Sequence, residues 1–354
     1  MNKNFHLIIN PGRYPWFAKE LKKLMRYVHG GTIVESKSPE HFEELIRQFI
    51  ASDNSYLLIW GGDGTANLAL NCLMKETDPE RRKQIAVGFL RGGSGNGIQD
   101  SYEVPKGLSA QVKTYLISMA EELTQKVDLL KISYDDKERY GQLFGTGLDA
   151  KILQARNMNK RIQGDRAPHP GFIPYVIPAV KIIWNETRLL EEPQFLEMKE
   201  GRFAFRGTRS NAEFPFNNYH IKTWAPLIEL GVRPYFGWYY KICPDVVCND
   251  GRFDVYLFNI TSPLSIPFQL FNLWNGLYQR INQWNAKRGL PLIEHYKIKE
   301  MTLKGMPGRM FHIDGELKET EGDIRIEVEP EALNFLVPRS FHEKFHPIHM
   351  LNQD

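Results

Sequence analysis

Tyr56-Leu57-Leu58-Ile59-Trp60-Gly61-Gly62-Asp63-Gly64-Thr65 decides the fold. The run Tyr56 to Trp60 is apolar throughout and too short for a helix, so it predicts a strand buried on both faces. Two glycines stop it, and Thr65 to Met74 has helical spacing. The same order recurs downstream: Ile85 to Leu90 is an apolar run, closed by the glycine-rich turn Arg91 to Gly97. Upstream, Phe5 to Ile9 is another short apolar run, punctuated by Asn10-Pro11-Gly12. Trp16 to Val28 predicts a helix with Phe17, Leu21, Leu24 and Met25 on one face. Thr32 to Val34 predicts a strand, and Pro39 to Ile50 a helix with Phe42, Leu45, Ile46 and Phe49 inward. Leu108 to Leu123 predicts a further helix. Strands alternating with helices predict a doubly wound parallel sheet.

From Val127 the rhythm changes to shorter, alternating runs separated by turn residues. Strands are expected at Val127–Ser133, Gln142–Leu148, Arg202–Gly207, Tyr219–Trp224, Phe236–Ile242 and Phe253–Asn259. Four more are expected at Tyr296–Leu303, Arg309–Ile313, Asp323–Val328 and Leu333–Val337. That pattern predicts an antiparallel, β-rich sandwich or barrel. Phe172–Asn185 and Pro263–Arg288 read as helical interruptions, and the stretch 185–233, the two strands in it apart, has no assigned role.

Composition narrows the function classes. The chain has 354 residues, enough for two domains, with 42% hydrophobic and 25% charged residues, which excludes a disordered or fibrous protein. A net charge of +3, with no basic stripe carrying interleaved aromatics, gives no support to a nucleic-acid partner. Cys72, Cys243 and Cys248 are too few for a disulfide framework and lack zinc-site spacing, so they read as buried or idle thiols. No apolar run is long enough to span a bilayer, and Met1 to Asn10 lacks a signal-peptide core, so the expected compartment is the cytoplasm.

Four segments carry chemistry. In Gly61-Gly62-Asp63-Gly64-Thr65, glycines let the backbone approach a ligand, and the following helix start adds partial positive charge; together they suit a phosphate. Asp63 is anionic, so it suits a phosphate-bound cation or a hydroxyl, or else simply caps the helix. Gly92-Gly93-Ser94-Gly95-Asn96-Gly97 follows a second strand of the same sheet, so both loops are expected on one edge. Arg91 reads either as a phosphate partner or as a solvated loop residue. Asp314-Gly315-Glu316 and Asp250-Gly251-Arg252-Phe253-Asp254, taken singly, are turn sequences.

Taken in order, these segments resemble the diacylglycerol kinase catalytic-domain family, which includes bacterial lipid kinases, sphingosine kinases and ceramide kinases. Leu7-Ile8-Ile9-Asn10-Pro11 resembles its opening strand and turn, and Gly145-Thr146-Gly147-Leu148-Asp149-Ala150 its entry to the second domain. Asp314-Gly315-Glu316 resembles its catalytic motif, followed by the closing Leu336-Val337-Pro338. The fold so implied is α/β plus β, of the NAD kinase/diacylglycerol kinase kind. A nucleotide-binding domain (1–126) precedes a β-rich lipid-substrate domain (127–340) and a C-terminal tail (341–354), with the active site in the cleft between the domains. The resemblance implies ATP contacts from Asn10, Ser36, Gly61, Gly62, Asp63, Gly64, Thr65, Ala66, Asn67, Leu68, Ser94, Gly95 and Asn96. It implies Glu316 as general base, with Asp63 also essential to transfer. It implies a structural Mg2+ on Asp250 and the carbonyls of Val247 and Arg252, and a carboxylate at the nucleotide metal in Asp128. Gly97 departs from the aspartate that many bacterial members carry there; sphingosine and ceramide kinases lack that acid too, which leans the substrate toward long-chain bases.

The expected reaction is transfer of the γ-phosphate of ATP to the hydroxyl of a lipid alcohol, a diacylglycerol or a sphingoid base. Phe172 to Trp184, preceded by Arg156, Lys160, Arg161 and Arg166, reads either as a membrane-surface segment or as core beside a solvated face. The expected partners are the lipid substrate, a transient contact that makes the protein peripheral at the membrane, and a second copy if the chain is a homodimer. Two other readings stay open: an NAD kinase, which shares the GGDG loop, and a non-catalytic nucleotide- or lipid-binding regulator.

Overall fold

A computed structural model describes residues 4–12, 14–26, 28–163, 182, 193–206, 211–259, 265–305 and 308–346. Packing divides the chain into two units, Met1–Val127 with Glu331–Asp354, and Asp128–Pro330.

The first unit opens with strand β1 (Phe5–Ile9), helix α1 (Pro15–Met25), β2 (Gly31–Glu35), α2 (Pro39–Ile50), β3 (Tyr56–Gly61) and α3 (Asp63–Glu76). It continues with α4 (Pro79–Gln84), β4 (Ala86–Arg91), α5 (Gly97–Ser101) and α6 (Leu108–Ala120). The strands pair in parallel in the order β2-β1-β3-β4. The apolar runs explain this: Leu7, Ile9, Leu58, Trp60 and Leu90 are buried with Leu21, Met25, Tyr115 and Met119 in one core. Each such side chain contributes about 1.5–3 kcal/mol relative to exposure. α2 begins where Ser38 Oγ accepts from the His41 N–H at 3.2 Å, with Pro39 in the first turn. Its buried residues, Phe42, Leu45, Ile46 and Phe49, are those that the helical spacing marks. α1 differs from its expectation. Leu21 and Met25 are buried with the small Ala18, while Phe17 and Leu24 are exposed.

The second unit holds β5 (Thr124–Tyr134), whose first residues belong to the first unit, then β6 (Lys137–Gly141), β7 (Leu143–Gly147), α7 (Leu148–Gln163), β8 (Gln194–Arg206) and β9 (Asn211–Thr223). β10 (Leu227–Gly231), β11 (Tyr235–Gly237), β12 (Tyr240–Lys241) and β13 (Phe253–Phe258) follow. Next come α8 (Ser265–Trp274), α9 (Tyr278–Ala286), β14 (Glu294–Ile298), β15 (Glu300–Lys304), β16 (Arg309–Ile313) and β17 (Glu316–Thr320). The chain closes with β18 (Ile324–Leu336) and α10 (Arg339–Phe345). The order β17-β16-β7-β10-β13-β14-β8-β15-β18 is antiparallel. Its inward faces, among them Phe144, Leu196, Leu230, Val255, Tyr296 and Phe311, form a second core.

The β-rich expectation for this half holds, with differences in detail. Tyr296–Leu303 divides into β14 and β15, whereas Asp323–Val328 and Leu333–Val337 merge into the single strand β18. The last residues of β18 run parallel to β4, through Asn334↔Ala86 and Phe335↔Val87. Part of the unassigned 185–233 stretch is the long hairpin β8–β9. Pro263–Arg288 breaks into α8 and α9 at Gly276, whose φ of +65° suits glycine. The expected helix Phe172–Asn185, and Arg166 before it, lie outside the described residues apart from position 182. Among the described residues, no helix is long and apolar enough to cross a membrane.

Candidate functional site

In the first unit the parallel strands all end on one edge. That edge carries Asn10 after β1, Ser36 after β2, Gly62–Thr65 after β3 and Gly92–Asn96 after β4. The strand order reverses between β1 and β3, the point where open α/β sheets leave a crevice. A hydrogen bond spans it, from Asn10 Nδ2 to Thr65 Oγ1 at 2.9 Å. The β3 and β4 loops touch through backbone. The Gly92 N–H donates to Gly61 O at 2.9 Å, and a methyl group on Gly62 would stand 3.0 Å from Gly93 Cα. A methyl on Gly95 would press on Asp63 Oδ2 at 2.7 Å. A methyl on Gly93 would stand 2.4 Å from Gly62 Cα, and backbone cannot move aside as the Asp63 side chain can, so glycine is a packing requirement at Gly93.

Asn96 holds the second loop. Its φ of +57° is left-handed, Oδ1 accepts from the Gly93 N–H at 3.0 Å, and Nδ2 donates to Gly93 O at 2.7 Å. Asp63, in the first turn of α3, accepts from the Ile98 N–H at 3.2 Å and so ties the two loops. Of the other candidates, Ala66 and Asn67 are buried within α3, with Leu68 half-buried beside them, while Gly64 is exposed. Asn67 accepts from Asn71 Nδ2 at 3.2 Å. The buried Ser36 turns its hydroxyl to Ile9 O at 3.4 Å. Arg91 is neither solvated nor free for phosphate. Its Nη1 lies 2.7 Å from Asp100 Oδ1 in a buried pair, and its Nε donates to Val104 O at 2.8 Å.

In the second unit, Asp314 and Gly315 form the two-residue turn between β16 and β17, with φ of +49° and +82°. That is the backbone an Asp-Gly hairpin turn favours. Asp314 is buried and accepts from the Leu143 N–H at 3.0 Å and the Gln142 N–H at 3.1 Å; Arg233 Nη2 stands 3.2 Å away. The turn so pinned presents Glu316, half of whose side chain is open to solvent, 3.2 Å from Lys318 Nζ.

The Asp250 turn is built separately. Asp250 Oδ1 accepts from the Arg252 N–H at 3.1 Å, and Lys297 Nζ lies 3.7 Å from Oδ2, beyond hydrogen-bond reach. Burial raises this carboxyl above its usual range, partly offset by Lys297. Asp128 is fully buried; its Oδ2 accepts from the Gly251 N–H at 2.8 Å, and its own N–H donates to Cys248 O at 2.7 Å. The structure thus places Asp128 as a support of the Asp250 turn. Val247 is exposed on the same turn. Cys72, Cys243 and Cys248 are all buried, and burial pushes the Cys72 thiol up to about 11 and Cys248 to about 12.

One cluster was not singled out as a unit from sequence. Gly145 on β7 is paired across one side with Glu229 on β10 and across the other with His312 on β16. Asp149, in the first turn of α7, points to the same place and pairs with His312 Nε2. Burial would lower the His312 imidazole, but the Asp149 and Glu229 carboxylates outweigh it and raise it to about 10. Burial, and then the charge of Asp149, raise Glu229 well above the usual carboxylate range. The motif at 145–150 was a partial signal; Glu229 and His312 had none, since only strand register brings them there.

Residues 5–132 match the family model described as the diacylglycerol kinase catalytic domain. Over 305 residues the chain is 24% identical to a Staphylococcus aureus (strain JH9) protein with the provisional name of lipid kinase, covering 84% of this chain and 82% of that one. The strain Newman counterpart matches with the same identity and coverage. A crystal structure of a diacylglycerol kinase from Bacillus anthracis strain Sterne shares the fold, with a TM-score of 0.59 and 17% identity over 96% of this chain and 98% of that one. Another from the same strain, provisionally titled a diacylglycerol kinase, aligns with a TM-score of 0.63 and 17% identity over 96% of each chain.

Proposed function

Since residues 5–132 match the diacylglycerol kinase catalytic-domain model, we propose that this chain is an ATP-dependent lipid kinase that phosphorylates the hydroxyl of a lipid alcohol. The observation that carries the reading is the meeting of Asn10, Gly61–Thr65 and Gly92–Asn96 on one sheet edge, at the start of α3. Backbone N–H groups and a helix N-terminus there suit the phosphates of ATP. Ser36, Ala66 and Asn67 are buried and Leu68 half-buried, so in this reading they shape the nucleotide site more than they touch ATP.

Phosphoryl transfer depends on positioning and on stabilising charge. The first unit supplies both to the nucleotide. The lipid oxygen forms its bond to the γ-phosphorus as the bond to the β,γ-bridging oxygen breaks, and ADP departs. The lipid hydroxyl must lose its proton in that step, and Glu316, carried on the pinned Asp314–Gly315 turn, is the assigned acceptor.

The reading implies Mg2+. Asp250 with the carbonyls of Val247 and Arg252 would hold one ion; the all-oxygen donor set fits it, and the Lys297 ammonium 3.7 Å from Asp250 Oδ2 would have to give way. When bound with the nucleotide, magnesium supplies charge neutralisation on the phosphates. The lipid would be met at a bilayer surface. In support, α8 exposes Phe268, Leu270 and Phe271, with Phe268 80% accessible. Diacylglycerol and a sphingoid base both remain as substrate classes.

The test is transfer of labelled γ-phosphate from Mg-ATP to mixed micelles of diacylglycerol, monoacylglycerol, sphingosine or ceramide, with NAD as a parallel acceptor. A labelled lipid supports the reading and names the substrate; label on NAD alone, or none with ATP bound, overturns it. Glu316→Gln should bind ATP as before and lose about 10²–10⁴-fold in kcat. Undiminished turnover in that variant removes Glu316 from its role.

A further inference from the structure

We infer that Asp149, Glu229 and His312 form a binding site for a first-row divalent ion of the Zn2+ or Mn2+ kind, distinct from the magnesium that accompanies ATP. The site follows from strand register. Glu229 and His312 are the direct cross-strand neighbours of Gly145, on opposite sides of β7. Because Gly145 has no side chain, the two reach toward each other over its Cα, and Asp149 arrives from α7 above. A methyl group on Gly145 would collide with Asp149 Oδ2, Glu229 Oε1 and His312 Nε2 together. The three donor atoms lie within 4.8 Å of one another.

A second observation points outward from the cluster. His312 is 0% exposed and Glu229 2% exposed. Glu229 Oε2 is buried with no hydrogen-bond donor among the described residues. His312 already pairs with Asp149, so protons balance the cluster as it stands; a divalent ion that took their place would satisfy both carboxylates and the imidazole at once. Phe236 packs edge-on against the His312 ring at 5.2 Å, which keeps one wall apolar. Asp149 keeps 17% of its side chain exposed, although both of its carboxylate oxygens are buried.

The donor set selects the ion class. One imidazole and two carboxylates suit Zn2+, Mn2+ or Fe2+, whereas Mg2+ and Ca2+ prefer oxygen alone. Three protein ligands leave a position for water, the pattern of an open rather than a closed structural site. Ligation through Nε2 places the ring proton on Nδ1. That nitrogen lies 3.4 Å from the Gly315 N, in the turn that precedes Glu316. Loading therefore replaces the His312–Asp149 pair with metal bonds beside that turn.

The experiment uses the full chain, stripped with chelator and dialysed into excess Mg2+, without nucleotide or lipid. Co2+ is added and its visible ligand-field absorption followed, with Zn2+ competition. The expected result is a saturable signal at one equivalent, displaced by Zn2+ and not by Mg2+. Asp149→Asn and His312→Gln should each weaken binding by about tenfold or more, since losing even a group that only supports a ligand costs about 10–100-fold. Asp149 is the least buried ligand, so Asp149→Asn carries the comparison if His312→Gln fails to fold. No saturable signal, or equal binding in wild type and folded Asp149→Asn, overturns the site and leaves a proton-sharing cluster. Since the readout involves no phosphoryl transfer, its failure and that of the kinase reading are separable.

Discussion

Replacing Asp314 with alanine tests whether the Asp-Gly turn is held from within. Its carboxylate accepts two backbone N–H groups, from Gln142 and Leu143, and pairs with Arg233, whose side chain is 1% exposed. Removal leaves a buried guanidinium and two buried donors without this acceptor. Breaking a buried pair from one side costs about 3–5 kcal/mol. Arg233 keeps its bond to Tyr235 O, so the lower end, about 3 kcal/mol, is the expected loss. For a unit of this size that lowers Tm by about 6–12 °C. Scanning calorimetry and urea unfolding measure it. The companion variant is Arg233→Met in the Asp314→Ala background. It should restore part of the loss, because the uncompensated charge is then gone. A loss below about 1 kcal/mol, or strictly additive effects of the two substitutions, refutes the argument that this buried pair fixes the turn.

Gly93→Ala should preserve the fold of the sheet but separate the two glycine loops, because the new methyl meets the Gly62 backbone, which cannot move as a side chain could. Fluorescent-nucleotide titration should show ATP affinity reduced by at least about tenfold, or 1.4 kcal/mol; unchanged affinity would show that the loops do not form the nucleotide cradle. The paired change Phe268→Ser and Phe271→Ser on α8 should leave thermal stability nearly unchanged, since these side chains are exposed, while reducing flotation with diacylglycerol-containing vesicles. Equal flotation would remove α8 as the membrane contact.

Sequence alone determined the local parts of this protein. The strands Phe5–Ile9 and Arg309–Ile313 and the helix Pro39–Ile50 fall where the residue pattern puts them. So do the glycine loops, because a buried parallel strand, a Pro-started helix and a glycine turn are each written in a few consecutive residues. A parallel sheet then brings strand ends to one edge, so the shared edge of the two loops was legible before any coordinates. What the chain does across distance was not. Helical spacing on α1 named Phe17 and Leu24 as inward, but the sheet left room only for Ala18, Leu21 and Met25. Arg91 reads from sequence as a phosphate or solvent residue, but Asp100, nine residues on in α5, takes its guanidinium. Only strand register decided the cluster around Gly145. The alternation with Ile228 and Leu230, and with Phe311 and Ile313, fixes the face that Glu229 and His312 occupy, but nothing local says that β10 and β16 lie on either side of Gly145.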